Sequence, residues 1–196
     1  MKPQLSTSLL TNFWYRVYFG TSDTKDLKRA VIKRAYRDFN RTLPGVGNIE
    51  NKDEKLVCSL KKIIDEALTL KFQNQEAYDN WHQKKCDEIV VLFNNDLGYK
   101  EFYLGHAQKW INMSLKYCLA IGDDVFKGIT QNINFLHIPI DNVIQDRLLI
   151  EFKVTKIIGA WSKINNYEIY LNYQKEVREK IGGKIPIIVE FELFNK

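Results

Sequence analysis

Apolar residues recur along this chain mainly at three- and four-residue spacings, and only four prolines and ten glycines interrupt them. That period belongs to helices rather than strands. An aromatic-rich stretch over 5–19, carrying Phe13, Trp14, Tyr15, Tyr18 and Phe19 and stopped by Gly20, predicts a buried first helix. Thr21, Ser22 and Asp23 offer N-cap oxygens for a second helix reaching about Thr42. Leu27, Val31, Ala35 and Phe39 form its inner face, and Lys33, Arg34, Arg37 and Arg41 its outer one. Further helices are predicted over 53–71 and 75–94, followed by a break over 94–98. Next come a helix carrying Lys109, a loop over 122–139, a helix begun by Asp141 and another over 165–181 that Gly182 and Gly183 close. Residues 185–189 predict one short extended strand. The expected fold is mainly α: a single compact domain spanning 1–196 with seven or eight helices.

A chain of 196 residues is long enough to bury one core, and no repeat or low-complexity linker divides it. No apolar run approaches the roughly 20 residues that span a bilayer, and the amino terminus lacks a basic region followed by an apolar core. A soluble, cytoplasmic protein is expected. Cys58, Cys86 and Cys118 are odd in number and far apart, and His82, His106 and His137 form no metal-binding spacing. No metal site and no cofactor are expected.

Charge adds a direction. Between residues 25 and 41, seven Lys or Arg stand against Asp26 and Asp38, a surplus of +5 that equals the formal charge of the whole chain. Charge concentrated in this way suits phosphate neutralisation, although a solvated helix face has the same composition. The segment Leu43-Pro44-Gly45-Val46-Gly47 reads like a DNA-binding hairpin, but the polar stretch 48–53 after it argues for a turn that stops the basic helix.

Two short signatures carry the candidate chemistry: Gly105-His106-Ala107-Gln108-Lys109 and Pro139-Ile140-Asp141-Asn142-Val143, which place Lys109 and Asp141 32 positions apart. Over 100–145 the chain resembles the helix-hairpin-helix superfamily of DNA glycosylases, most closely archaeal 8-oxoguanine glycosylases and a related bacterial group that acts on modified phage DNA. In that superfamily a Gly-x-Gly-x-Lys hairpin presents a nucleophilic lysine and a later segment supplies an aspartate. Ala107 stands here in the place of the second glycine. The resemblance implies a glycosylase that excises a damaged or modified base, hypermodified phage cytosine in antiphage defence included, with lyase activity. Lys109 would displace the base and form a Schiff base with the sugar, Asp141 would assist, and β-elimination would cut the strand. The implied partner is DNA, bound by a monomer.

A nucleophilic lysine needs help, since at an ordinary pKa near 10.4 fewer than about one molecule in a thousand carries the neutral amine at pH 7. Burial beside Trp110 and Met113, the positive end of a helix beginning near Ala107, and Lys116 on the same face are three sources of it. Lys109, Asn112, Met113 and Lys116 form a chemical face, and Leu104, Ala107, Ile111, Leu115 and Cys118 a structural one. A glycosylase also needs a pocket for the extruded base. Trp110, His106, His137, Trp161 and Lys116 are its candidate residues, with Gln108 as a base reader or phosphate contact. Gly105, Ala107, Arg34, Arg37 and Arg41 are the candidate DNA contacts. The main alternative is a non-catalytic nucleic-acid-binding helical protein. A helical ribonuclease of the R-x-x-x-x-H type is disfavoured, because no histidine follows an arginine at that spacing.

Overall fold

The computed structural model describes residues 5–46, 54–96 and 98–195, and among these it forms eight α-helices and no strand. They are α1 (Thr7–Phe19), α2 (Thr24–Arg37), α3 (Glu54–Thr69), α4 (Gln75–Asp96), α5 (Leu104–Ile121), α6 (Asn142–Phe152), α7 (Tyr167–Lys180) and α8 (Pro186–Phe194). Asp53, the expected first residue of α3, lies outside the described residues, as do Leu97 in the break after α4 and Gly47 with the polar stretch 48–53.

Helix α5 is the axis. Every residue from Leu104 to Cys118 is buried, the lysines included, so the chemical face and the structural face are both enclosed. A helix enclosed on all sides needs partners all round. Helices α2, α3 and α4 supply them, together with short 3-10 turns at Ile129–Asn132, within the predicted loop, and at Trp161–Lys163. Helix α2 docks through Leu27, Val31 and Ala35, as its apolar stripe predicts; it ends at Arg37, and Phe39 is buried ahead of a 3-10 turn at Asn40–Thr42. Leu43–Val46 then turn, with Gly45 at φ 81°, a backbone conformation that favours glycine.

Two expectations are corrected. Helix α1 is not buried. None of its residues is fully enclosed, and Leu9, Leu10, Phe13, Trp14, Val17 and Tyr18 are exposed. Its apolar residues cover most of the helix circumference, whereas only one side of it meets α2 and α5. The predicted strand over 185–189 is the first half of α8. Pro186 takes the first helical position, where no N–H is needed, and Ile187, Glu190 and Leu193 are buried at a three-residue spacing. The β-branched residues alone resemble a strand; the helical period appears only when the run is followed to Phe194.

Between the loop and α6 the chain has no regular secondary structure, and Leu136, His137, Ile138, Pro139 and Ile140 are all buried. With no neighbouring strand, its peptide groups depend on side chains for partners. Asp141 then caps α6, its Oδ1 accepting from the Ile144 amide at 2.9 Å.

Candidate active site

Helix α5 and the α6 cap bring Lys109 and Asp141 together: Lys109 Nζ donates to Asp141 Oδ2 at 2.6 Å. Both carboxylate oxygens are thus engaged, one by the amine and one by the helix cap. Burial acts to raise the Asp141 carboxyl, but the Lys109 charge and hydrogen bond, the Ile144 amide and the Lys116 charge outweigh it, leaving the group below its ordinary value.

The pair opens into a cavity of about 570 Å³. Lys116, two turns along α5, lines the same space and donates to Glu190 Oε1 on α8 at 2.7 Å, with Oε2 equally close at 2.6 Å. Its ammonium also lies 4.9 Å from the ring centre of Phe191 and 4.5 Å from that of Phe194. Burial lifts the Glu190 carboxyl above its ordinary value; Lys116 pulls against that, and Asp141 adds to it. Two amines, each with its own carboxylate, therefore share one aromatic-walled cleft.

The opposite wall belongs to α1 and α2. Tyr18 meets Tyr117 hydroxyl to hydroxyl at 3.0 Å, Tyr117 donates to Asp38 Oδ2 at 2.5 Å, and the Arg34 guanidinium lies 4.4 Å from the Tyr18 ring centre. Burial raises the Asp38 carboxyl despite its Tyr117 hydrogen bond and the nearby Arg34. Beyond Tyr18 and Arg34 lies a second, smaller hollow of about 380 Å³ whose lining includes Arg29, Lys33 and Arg37.

Lys109, Asp141, Lys116 and Arg34 therefore meet at one cavity, and Arg37 lines the hollow beside it. Arg41 is exposed on the 3-10 turn that follows α2 and lines neither. The remaining expected site residues belong to the core. The Trp110 indole is fully buried and donates to the Ile32 carbonyl at 2.9 Å. His106 accepts from the Tyr103 amide at 3.1 Å, and burial holds its imidazole down to about 4. Burial likewise lowers His137, which is bound to Asp79 and to the Tyr170 hydroxyl at 2.9 Å each. Trp161 packs over the start of α5, where its carbonyl abuts Gly105. Gln108 is enclosed and reaches the Ile140 backbone rather than the cavity.

The expected hairpin is likewise corrected. Gly105 and Ala107 lie in the first turn of α5, with their amides donating to Ile164 O at 2.9 Å and Tyr103 O at 3.2 Å, so neither is available to a phosphate. Lys109 is the sixth residue of α5, beyond the first turn where a helix dipole acts strongly.

Sequence reasoning missed Glu190, Phe191 and Phe194, and also the wall formed by Tyr18, Tyr117 and Asp38. The signal for Glu190 was present: an acid at a buried step of an apolar run needs a counter-charge. Among the described residues no group of His, Cys, Asp and Glu could hold a metal ion, and no helix is long and apolar enough to cross a membrane. No protein-family model, curated protein or solved structure matches the chain.

Proposed function

We propose that this protein is a DNA glycosylase with lyase activity, acting on a damaged or modified base in DNA through the lysine–aspartate pair that its two signatures supply. The observation that carries this reading is the Lys109–Asp141 contact of 2.6 Å inside a cavity of about 570 Å³, a volume typical of small-molecule sites and ample for an extruded base. The Lys109 ammonium, oriented by Asp141, releases a proton to solvent. The freed amine attacks C1′ of the sugar, the N–C1′ bond forms, and the glycosidic bond breaks with its electron pair leaving on the base. Asp141, kept ionised by its surroundings, stabilises the positive charge that develops on the sugar. The C1′–O4′ bond then opens, O4′ taking up a proton to become the 4′-hydroxyl, which gives the Schiff base; removal of a C2′ proton then expels the 3′-phosphate and cuts the strand by β-elimination. Phe191 and Phe194 offer faces for the base to stack on, and Lys116 with Glu190 offers a donor and an acceptor for its edge. Arg34, Arg37 and Arg41 neutralise backbone phosphates.

Borohydride trapping on duplexes containing single candidate bases, 8-oxoguanine and hypermodified phage cytosines among them, tests this. A covalent adduct that disappears in Lys109→Gln supports the reading. Salt-sensitive DNA binding that persists in Lys109→Gln, with no adduct and no abasic product from any base, would leave the non-catalytic DNA-binding alternative in its place.

A further inference from the structure

Gln108 and Lys109 are neighbours on α5, and each reaches across to one of two neighbours on the segment before α6. Lys109 holds the Asp141 carboxylate, while Gln108 holds the Ile140 backbone at both ends. Its Nε2 donates to Ile140 O at 3.2 Å and to Gly105 O at 2.9 Å; its Oε1 accepts from Ile140 N at 3.3 Å and from Asn112 Nδ2 at 3.2 Å. A carboxamide has two N–H donors and two lone pairs, so all four are used, in a side chain with no solvent exposure. Two residues earlier, Gln174 on α7 grips Ile138 in the same manner, accepting from its amide at 3.2 Å and donating to its carbonyl at 2.8 Å. Pro139, between them, has no amide to satisfy. Two glutamines thus take the place of the missing neighbour strands.

The Gln108 clamp acts on the residue next to Asp141, and it is anchored from behind. Asn112 Oδ1 is hydrogen-bonded to His82 Nε2 at 3.0 Å, and Asn112 Nδ2 donates to the Tyr170 hydroxyl at 2.9 Å. Tyr170 meets His137, which meets Asp79. Burial lowers the pKa of both histidines, so this chain of groups stays neutral at its histidines near pH 7.

We propose that Gln108 is the positioning residue of the site, setting the register of Asp141 against Lys109 through its two-ended grip on the Ile140 backbone. This rests on the glycosylase reading for its catalytic consequence, but its structural content can be measured without activity. The charged and titratable groups around Asp141 are Lys109 and Lys116 on α5, Tyr173 on α7 and Glu190 on α8. Lys109 makes the largest contribution holding the carboxyl low, so a lost register raises its titration midpoint.

The test compares Gln108→Met with Gln174→Met, which removes the matching grip one step further from the catalytic carboxylate. Each full-length variant is checked for folding by circular dichroism, and the Asp141 carboxyl is titrated by carbon-13 NMR. The expected result is an upward-moved midpoint in Gln108→Met and an unmoved one in Gln174→Met. On a base that the wild type excises, single-turnover excision should fall about 100-fold in Gln108→Met, with DNA affinity unchanged, as expected for a displacement of about 1 Å. If Gln108→Met does not fold, Gln108→Asn, which keeps the amide and shortens its reach, replaces it with the same expected outcomes. A folded Gln108 variant with the wild-type Asp141 midpoint overturns the proposal, and so do equal midpoint shifts in the two clamp variants. If the wild type excises no base, the glycosylase reading fails, and the titration still decides the clamp.

Discussion

Replacing Lys116 by methionine leaves the Glu190 carboxylate inside the protein without its counter-charge. The Lys116 side chain is 5% exposed and that of Glu190 6%, so water reaches neither well enough to compensate. Removing one partner of a buried pair typically costs about 3–5 kcal/mol. An independent bound comes from the escape route: Glu190 can take up a proton, and protonating a carboxyl of ordinary pKa about 4.3 at pH 7 costs about 4 kcal/mol. The two figures agree, so Lys116→Met should lose about 4 kcal/mol at pH 7. In the folded variant Glu190 stays protonated to higher pH than in the unfolded chain. The native state then binds the extra proton, and stability falls as pH rises above the ordinary glutamate value. The loss should therefore shrink by about 1.4 kcal/mol for each pH unit below 7 and level off at the wild-type Glu190 midpoint, which burial places above the ordinary glutamate value. Urea unfolding of wild type and variant at pH 7, 6 and 5 measures this. Lys116→Met/Glu190→Gln should recover most of the stability at pH 7. A loss below about 1 kcal/mol at pH 7, or one that does not change with pH, refutes the reasoning.

Gly105→Ala places a Cβ 2.0 Å from the Trp161 carbonyl, backbone against backbone, and should cost about 1–3 kcal/mol, a melting decrease of roughly 2–4 °C for each; an unchanged melting temperature contradicts the packing. Trp110→Phe removes the indole hydrogen bond to the Ile32 carbonyl, which keeps its place in α2, at a cost of about 0.5–1.5 kcal/mol, and should leave DNA affinity unaltered, so a folded variant that binds tenfold more weakly by fluorescence anisotropy would return Trp110 to the DNA interface. Arg41→Ala should make the plot of log affinity against log salt shallower by about 0.9, one phosphate contact, and an unaltered slope removes Arg41 from the DNA path.

The helices were legible wherever one face of the pattern is apolar, as in α2, where Leu27, Val31 and Ala35 are fully buried. Pattern failed where it has no contrast. Helix α1 carries apolar residues over most of its circumference, which says that it prefers burial but not that anything covers it. The first half of α8 is β-branched on every side. Near the site, Lys109, Asp141 and Lys116 were legible because a signature pairs an amine with a cap. Glu190 came from 49 positions beyond Asp141, on a helix that local reasoning took for a strand. Trp110, His106, His137 and Trp161 were chosen for proximity in sequence, yet the next position along a helix points about 100° away. For that reason Trp110 faces Ile32 while Lys109 faces the cleft.

Helix α1 forms one wall of the cleft without a fully enclosed side chain of its own; its recorded polar ties are Tyr15 to the Ile121 carbonyl at 3.4 Å, Tyr18 to Tyr117, and Arg34 against Tyr18. Lifting such a segment exposes little new apolar surface, so its amides should exchange with solvent through a low-energy local opening, whereas those of α5 should wait for global unfolding. Under the proposed glycosylase function, a bulky adduct on the base would be admitted by detaching this outer wall while Lys109 and Asp141 stay where they are. The cleft's outer wall and its two amine–carboxylate pairs thus belong to parts of the domain that differ sharply in burial.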